Sequence, residues 1–229
     1  MKNYVLKIEL QSDTTFGRGD GVAGLVDSEV QHDHAGLPII SGRALKGLLV
    51  NECAEILFAL RQHGKEEKWL KAAEHLFGVS GDNAEGGDGM FIGDATLAPD
   101  LAAEVRRAVV DKKLSRDAVL ESLTTIRQQT AVDPERGAPK DKTLRSMRVI
   151  LQGQVFYAPL YFEATNPNPD DLALLAACAM SLRRAGTGRT RGRGKVCVKI
   201  LEMTLQAKDF NEGADKTEEL FKPFEEMKP

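Results

Sequence analysis

The sequence predicts an α+β fold whose core elements follow one another as strand, helix, strand, strand, helix, strand. Alternating apolar residues mark a strand near each end, Tyr4, Leu6, Ile8 and Leu10 in one and Val196, Val198 and Ile200 in the other. Apolar residues at helical spacing mark two core helices, one from Ser41 to Arg61 and one from Asp170 or Asp171 to Leu182. Between those helices lie two strand-like stretches, Met90 to Leu97 and Val149 to Phe162.

Each element has a local justification. Residues 3–11 form the first strand, and Phe16 to Gly24 is a glycine-rich loop. Ser41 is a good N-cap, after which Leu45, Leu48, Leu49, Ala54, Ile56, Leu57 and Leu60 recur with helical period. Trp69 to Phe77 reads as a short helix ending at Gly78, and Val79 to Gly89 reads as a loop carrying Asp82, Glu85 and Asp88. Leu101 to Leu123 is helical and charged, an inserted lobe. Thr124 to Arg145 holds Pro134, Gly137 and Pro139, which forbid long regular structure. Asn166 to Pro169 is a turn, and Lys195 to Leu205 is the closing strand. Without its insertions, this order is the ferredoxin-like (RRM-like) βαββαβ arrangement.

Composition narrows the function classes. The 229 residues are 42% hydrophobic and 28% charged, ordinary globular values. No apolar run approaches the roughly 18 residues of a membrane span, and the N-terminus lacks the apolar core of a signal peptide. The three widely spaced cysteines, Cys53, Cys178 and Cys197, read as free thiols, which points to the cytoplasm. The net charge of -3 argues mildly against nucleic acid, but its distribution does not. Arg183, Arg184, Arg189, Arg191, Arg193 and Lys195 cluster without an acid among them.

Four segments carry chemistry. In the loop from Gly186 to Gly194, the glycines Gly186, Gly188, Gly192 and Gly194 let the backbone approach a ligand, and the arginines offer planar donors for phosphate. A solvated turn is the plainer reading; six basic residues without a counter-acid favour backbone binding. Gly19-Asp20-Gly21-Val22-Ala23-Gly24 matches a dinucleotide pattern literally, but no helical period follows it, which excludes that fold. In Asp27-Ser28-Glu29-Val30-Gln31-His32-Asp33-His34, an extended chain places Asp27, Glu29 and Asp33 on one side and both histidines on the other. A carboxylate site, a His-x-His metal site and an exposed polar loop are all compatible with that pattern. Finally, Ser41, Arg43 and Lys46 at the start of a helix make a natural phosphate seat. Capping explains Ser41 but not Gly42 and Gly47, which weaken a helix unless something approaches closely.

Taken in order, these pieces resemble the RAMP superfamily of CRISPR-associated proteins, and within it the repeated backbone subunit of type III interference complexes. The matching pieces are Phe16-Gly17-Arg18-Gly19, Val26-Asp27-Ser28-Glu29-Val30, Gly36 to Gly47, Leu76-Phe77-Gly78, Phe91-Ile92-Gly93-Asp94-Ala95, Val132 to Gly137 and the late loop Gly186 to Gly194. The resemblance implies a palm with a protruding thumb. One domain is expected over residues 1–205, with insertions at about 63–89 and 98–148, the thumb at about 124–148, and a tail over 206–229.

It also implies function. Copies or relatives would stack along a guide RNA, gripped by Ser41, Arg43, Lys46, Arg184, Arg189, Arg191 and Arg193 and approached by the loops of Gly17, Gly19, Gly186, Gly188, Gly192 and Gly194. Guide–target pairing would read sequence, leaving the protein shape and phosphate contacts. In cleaving members an aspartate after the first strand is needed to cut target RNA, and the matching position is Asp27. Asp27 would then either hold Mg2+ or another divalent metal or orient the attacking 2′-hydroxyl, with Asp33 and His32 as secondary candidates. The chain departs from the pattern in the short loop Asp20 to Leu25 and in the cluster His32-Asp33-His34. Three other readings remain: a non-catalytic structural or capping relative, a metal-independent guide-processing endoribonuclease using His32 or His34, and an unrelated RNA-recognition module. The 6% aromatic content speaks against the last. Purified without a nuclease step, the protein is expected to show a raised ratio of absorbance at 260 to 280 nm; a clean protein spectrum at low salt contradicts the RNA reading.

Overall fold

A computed structural model describes residues 3–78, 89–162, 167–203, 210 and 213–226. The loop expected at Val79 to Gly89 therefore lies almost wholly outside the described residues. A five-stranded antiparallel sheet forms the palm. It comprises β1 (Asn3–Leu10), β2 (Met90–Ile92), β5 (Val155–Phe162), β6 (Val196–Met203) and the two-residue β7 (Ala214–Asp215), in the order β2-β5-β1-β6-β7. With α1 (Gly42–Arg61) and α5 (Pro169–Ser181), the first four strands give the ferredoxin-like fold expected from the sequence.

The alternation in β1 sends Tyr4, Leu6, Ile8 and Leu10 to one buried face, where they meet Phe156, Ala158, Leu160, Val196, Val198 and Ile200. Those side chains pack under α1 and α5. Helix α5 is buried on nearly every side, from Asp171 to Ala179, because α1, α2 (Glu67–Phe77), α6 (Thr217–Glu225) and β6 all lie against it. An all-round apolar sequence such as Leu172 to Ala179 suits only that central position. Asn168 and Asp171 start α5 with a reciprocal capping box. The Cys53 and Cys178 thiols meet across α1 and α5; the hydrogen bond between them and burial push the Cys178 pKa well up, so this thiol is inert.

Three elements differ from the sequence expectation. The single strand over Val149 to Phe162 is two strands, β4 (Arg145–Ile150) and β5, split where Gly153 takes a left-handed φ of 84° and its N–H donates to Leu10 O. The helix over Leu101 to Leu123 is also two, α3 (Pro99–Val110) and α4 (Arg116–Leu123). They are broken by the left-handed Lys112 and restarted by Ser115, whose side chain accepts from Ala118 N. The stretch from Thr124 to Arg145 contains β3 (Thr124–Gln129), which pairs with β4 as a separate two-stranded ribbon, the thumb. Its prolines and Gly137 sit in the tip, where Val132 bridges Pro139 and Asp133 Oδ1 accepts from Glu135 N and Arg136 N, so the ladder is not interrupted.

The thumb is bolted to the palm by a buried ion pair. Glu29 and Arg148 are 2% and 6% exposed, and Arg148 Nε lies 2.9 Å from Glu29 Oε1. Glu29 Oε1 also accepts from Val30 N, and Arg148 Nη1 donates to Thr124 Oγ1. Removing one partner of such a pair strands a buried charge, which costs about 3–5 kcal/mol. Arg148→Ala is therefore expected to lower the unfolding free energy by about that amount in urea denaturation, and a loss below about 1 kcal/mol contradicts the pairing.

Candidate RNA-binding and cleavage site

The topology brings the chemistry-bearing loops to one end of the sheet. Leu10 at the end of β1 is paired with Val196 at the start of β6, and Glu9 with Val155 at the start of β5. The loop after β1, the Arg/Gly loop before β6 and the thumb before β5 therefore leave the palm side by side. Backbone bridges stitch them together: Thr14 to Ile150, Thr15 to Thr187, and Ser28 to Met147. The segment leading into α1 approaches this end through the bridge from Ile40 to Ala95, while the first turns of α1 lie against Ile92 and Met90 of β2.

The Arg/Gly loop is built to project cations. Gly188 and Gly192, both left-handed, flank a 3₁₀ turn at Arg189–Arg191. Gly186 and Gly194 serve packing: a Cβ would fall 2.6 Å from Thr15 O at the first and 2.1 Å from Ala185 O at the second. The arginines divide their tasks. Arg184 braces the loop from within, its Nη1 donating to Arg189 O and Arg193 O at 3.1 and 3.2 Å. Arg193 turns to the thumb, where the Gln129 side-chain oxygen accepts from its Nη1 at 3.2 Å and its Nη2 at 2.8 Å. Arg189 and Arg191 are exposed, with Arg191 Nη1 3.4 Å from the Gln129 amide. Arg191 also lines a cleft of about 580 Å³ with Thr130, Val132, Thr143 and Arg145 of the thumb. Back on α1, burial first and then Glu55 hold the Glu52 pKa above its ordinary value, against the lowering influence of Arg189 and Arg183.

At the start of α1, Ser41 does not act as the side-chain cap; Asp94 does, its Oδ1 accepting from Gly42 N at 2.8 Å. Gly42 answers the packing question that its position raised, since a Cβ there would lie 2.0 Å from Ile92 O. Gly47 faces open space. Arg43 is exposed, and Lys46 Nζ donates to Met90 O at 3.2 Å. Gly19 supplies a left-handed turn (φ 96°) in the loop after β1, and Gly17 bridges Val30.

The acids and histidines of the early loop separate into different roles. Asp27 is exposed beside the thumb, its Oδ2 accepting from Ser146 N at 2.7 Å and from Ser146 Oγ at 3.3 Å. Asp33 is tied into the fold by both carboxylate oxygens. Its Oδ1 accepts from Ala35 N and Leu37 N, and its Oδ2 accepts from Arg106 Nε at 2.9 Å. His32 is fixed on both sides, Nδ1 donating to the Asp33 carbonyl and Nε2 lying 3.4 Å from Arg116 Nη2. Glu29 is the buried partner of Arg148, which the alternating pattern did not distinguish from the other acids.

Among the described residues no group of three His, Cys, Asp or Glu side chains could hold a metal ion. A pre-formed cage is thus absent there, but Asp27 offers one carboxylate oxygen, Oδ1, outside the Ser146 contacts. A lone carboxylate completed by phosphate oxygens and water suits Mg2+, which keeps several waters and binds through few protein ligands. Also among the described residues, no helix is long and apolar enough to cross a membrane.

A sequence profile of the RAMP superfamily matches residues 7–197, most of the chain. The chain belongs to the RAMP superfamily. Among curated proteins none matches it in sequence. Two solved structures share the fold of this RAMP protein. One is a chain in a cryo-EM structure of Type III-B Cmr-beta in the apo state, with a TM-score of 0.58, 14% identity, and coverage of 86% of this chain and 96% of that one. The other, from Type III-B Cmr-beta bound to cognate target RNA, has a TM-score of 0.60 at 13% identity with the same coverage, 86% and 96%. Sequence reading nominated Asp27 and the arginines; it did not single out Ser146, Arg145 or Asp94. Only Asp94 carried a signal, in the run Phe91-Ile92-Gly93-Asp94-Ala95. Arg184→Ala is expected to speed hydrogen exchange of the amides from 188 to 194, while Arg189→Ala leaves them slow; equal rates in both variants contradict the bracing role.

Proposed function

We propose that this RAMP protein is a guide-RNA-binding backbone subunit of a type III CRISPR effector complex, and that it cuts guide-paired target RNA through Asp27. The observation that carries the reading is the convergence of Asp27, the thumb and the Arg/Gly loop at one end of the palm. Membership of the superfamily and the shared fold with chains of Type III-B Cmr-beta support it. Arg43, Arg189, Arg191 and Arg145 would hold backbone phosphates, with Arg184 shaping the loop that carries two of them. Ser41 and Lys46 flank this path at the start of α1. Its partners would be guide RNA, target RNA and other effector subunits, including copies or relatives of itself, in the cytoplasm. The free cysteines suit that compartment.

In the cutting step, the target's own 2′-hydroxyl attacks the adjacent phosphorus. The new bond is 2′-O–P, the bond that breaks is P–O5′, and the products are a 2′,3′-cyclic phosphate and a 5′-hydroxyl end. A nucleotide splayed beside the thumb can reach the in-line geometry that a regular helix denies. Asp27 Oδ1 would orient the hydroxyl or hold a divalent cation. A cation held there would neutralise charge developing on the phosphate. The engaged ring nitrogens of His32 speak against a guide-processing role for that residue.

Two measurements test this reading. In the assembled complex with magnesium, Asp27→Ala is expected to abolish cutting of a guide-matched target while leaving target binding intact; unchanged cutting makes the subunit a scaffold. For the isolated chain on single-stranded RNA, Arg189→Ala and Arg191→Ala are each expected to flatten the slope of log affinity against log salt by about 0.7. An unchanged slope removes these residues from the phosphate path.

A further inference from the structure

The loop that carries Asp27 runs along the thumb. Asp27 N donates to Ser146 O at 2.8 Å, Ser28 forms a parallel bridge with Met147, and Arg148 N donates to Ser28 O at 3.0 Å. The Glu29–Arg148 ion pair closes the same zipper. Residues 27–29 therefore run beside β4, joined to it by an isolated bridge at Ser28 and the hydrogen bonds on either side of it. The outermost rung is the contact of the Asp27 carboxylate with both the N–H and the hydroxyl of Ser146. The Ser146 hydroxyl lies 3.3 Å from Asp27 Oδ2 and 3.3 Å from Leu25 O, and has one proton to share between them.

Gly21 holds the carboxylate's backbone from the other side. A Cβ at Gly21 would fall 2.3 Å from Val26 O and 2.8 Å from the Asp27 carbonyl carbon. The turn from Val22 to Val26, closed by Val22 N to Val26 O at 2.8 Å, can fold back on Asp27 only with glycine at this position. Asp27 itself is exposed, so nothing buries it into place. Two contacts, Ser146 on the thumb and Gly21 in the loop, define where its carboxylate points.

We infer that Ser146 and Gly21 are positioning residues for Asp27: together they fix Oδ2 to the thumb and present Oδ1 to the RNA. This assignment rests on the cutting role proposed for Asp27. Misplacing a reacting group by about 1 Å lowers a rate by about a hundredfold. Gly21→Ala, which must displace backbone, is expected to lose cutting on that scale. Ser146→Ala keeps the N–H contact and is expected to lose about tenfold, as half of the anchor remains.

The experiment is single-turnover cutting of a guide-matched target by the assembled complex, with target affinity measured on the same preparations. The expected result is a fall in rate at saturating target for Ser146→Ala and Gly21→Ala, unchanged target affinity, and recovery of rate in Ser146→Thr, which restores the hydroxyl. Wild-type rates in both variants, with Asp27→Ala inactive, overturn the positioning role and leave the cutting role standing. A loss of affinity in proportion to rate, or no recovery in Ser146→Thr, reduces Ser146 to a structural contact and also overturns it. If Asp27→Ala cuts normally, the cutting role itself fails instead. Should Gly21→Ala not assemble, the comparison of Ser146→Ala with Ser146→Thr decides alone.

Discussion

The arrangement depends on the buried contact between Glu29 and Arg148. The two residues lie on different excursions from the palm, one in the loop after β1 and the other on the thumb strand β4. Neither charge can be left alone in the interior, so the pair fixes the distance between the excursions. Around it, Thr124 satisfies one guanidinium nitrogen and Val30 donates to the carboxylate. Everything proposed for Asp27 follows from this anchor, because the aspartate is two residues from Glu29 on one side of the zipper and beside Ser146 on the other.

The palm contributes placement. In an antiparallel sheet the end of one strand meets the beginning of its neighbours, so the insertions next to β1, β5 and β6 emerge together without any contact among the loops having to bring them there. The helical face is filled by α1, α2, α5 and α6. The other face holds a small cluster around Val5, Tyr157 and Leu201, and leaves Phe91 and Tyr161 exposed with ring centroids 6.0 Å apart. Charge and aromatic surface are thereby separated: cations at the loop end, an aromatic pair on the open face near the β2 edge.

What the sequence disclosed and what it hid have the same physical origin. β1, β6 and α1 each have one main neighbour layer, so burial writes a period of two or of 3.6 residues into them, while the enclosed α5 shows as an all-round apolar run. β3, with Thr124-Thr125-Ile126-Arg127-Gln128-Gln129, belongs to a ribbon largely open to solvent, and its composition carries no such imprint. The split between β4 and β5 turns on one glycine inside a run that alternates well on both sides. At the site, Asp27 and the arginines were legible because residue type and loop context suffice to nominate them. Ser146 was not, because it lies 119 residues from Asp27 and an unremarkable serine gains meaning only when the thumb folds back. The same holds for Glu29, which shares its loop with Asp13, Asp20, Asp27 and Asp33 and differs from them in what it meets.

The central claim is that RNA lies along the loop end of the palm and not on its open sheet face, where RNA-recognition domains bind. Ultraviolet cross-linking of guide RNA in the assembled complex, read out by mass spectrometry of this chain, separates the two. The account predicts cross-linked peptides from the Arg/Gly loop, the thumb strands and the start of α1. Cross-links concentrated at Phe91 and Tyr161, with none in those segments, would contradict it.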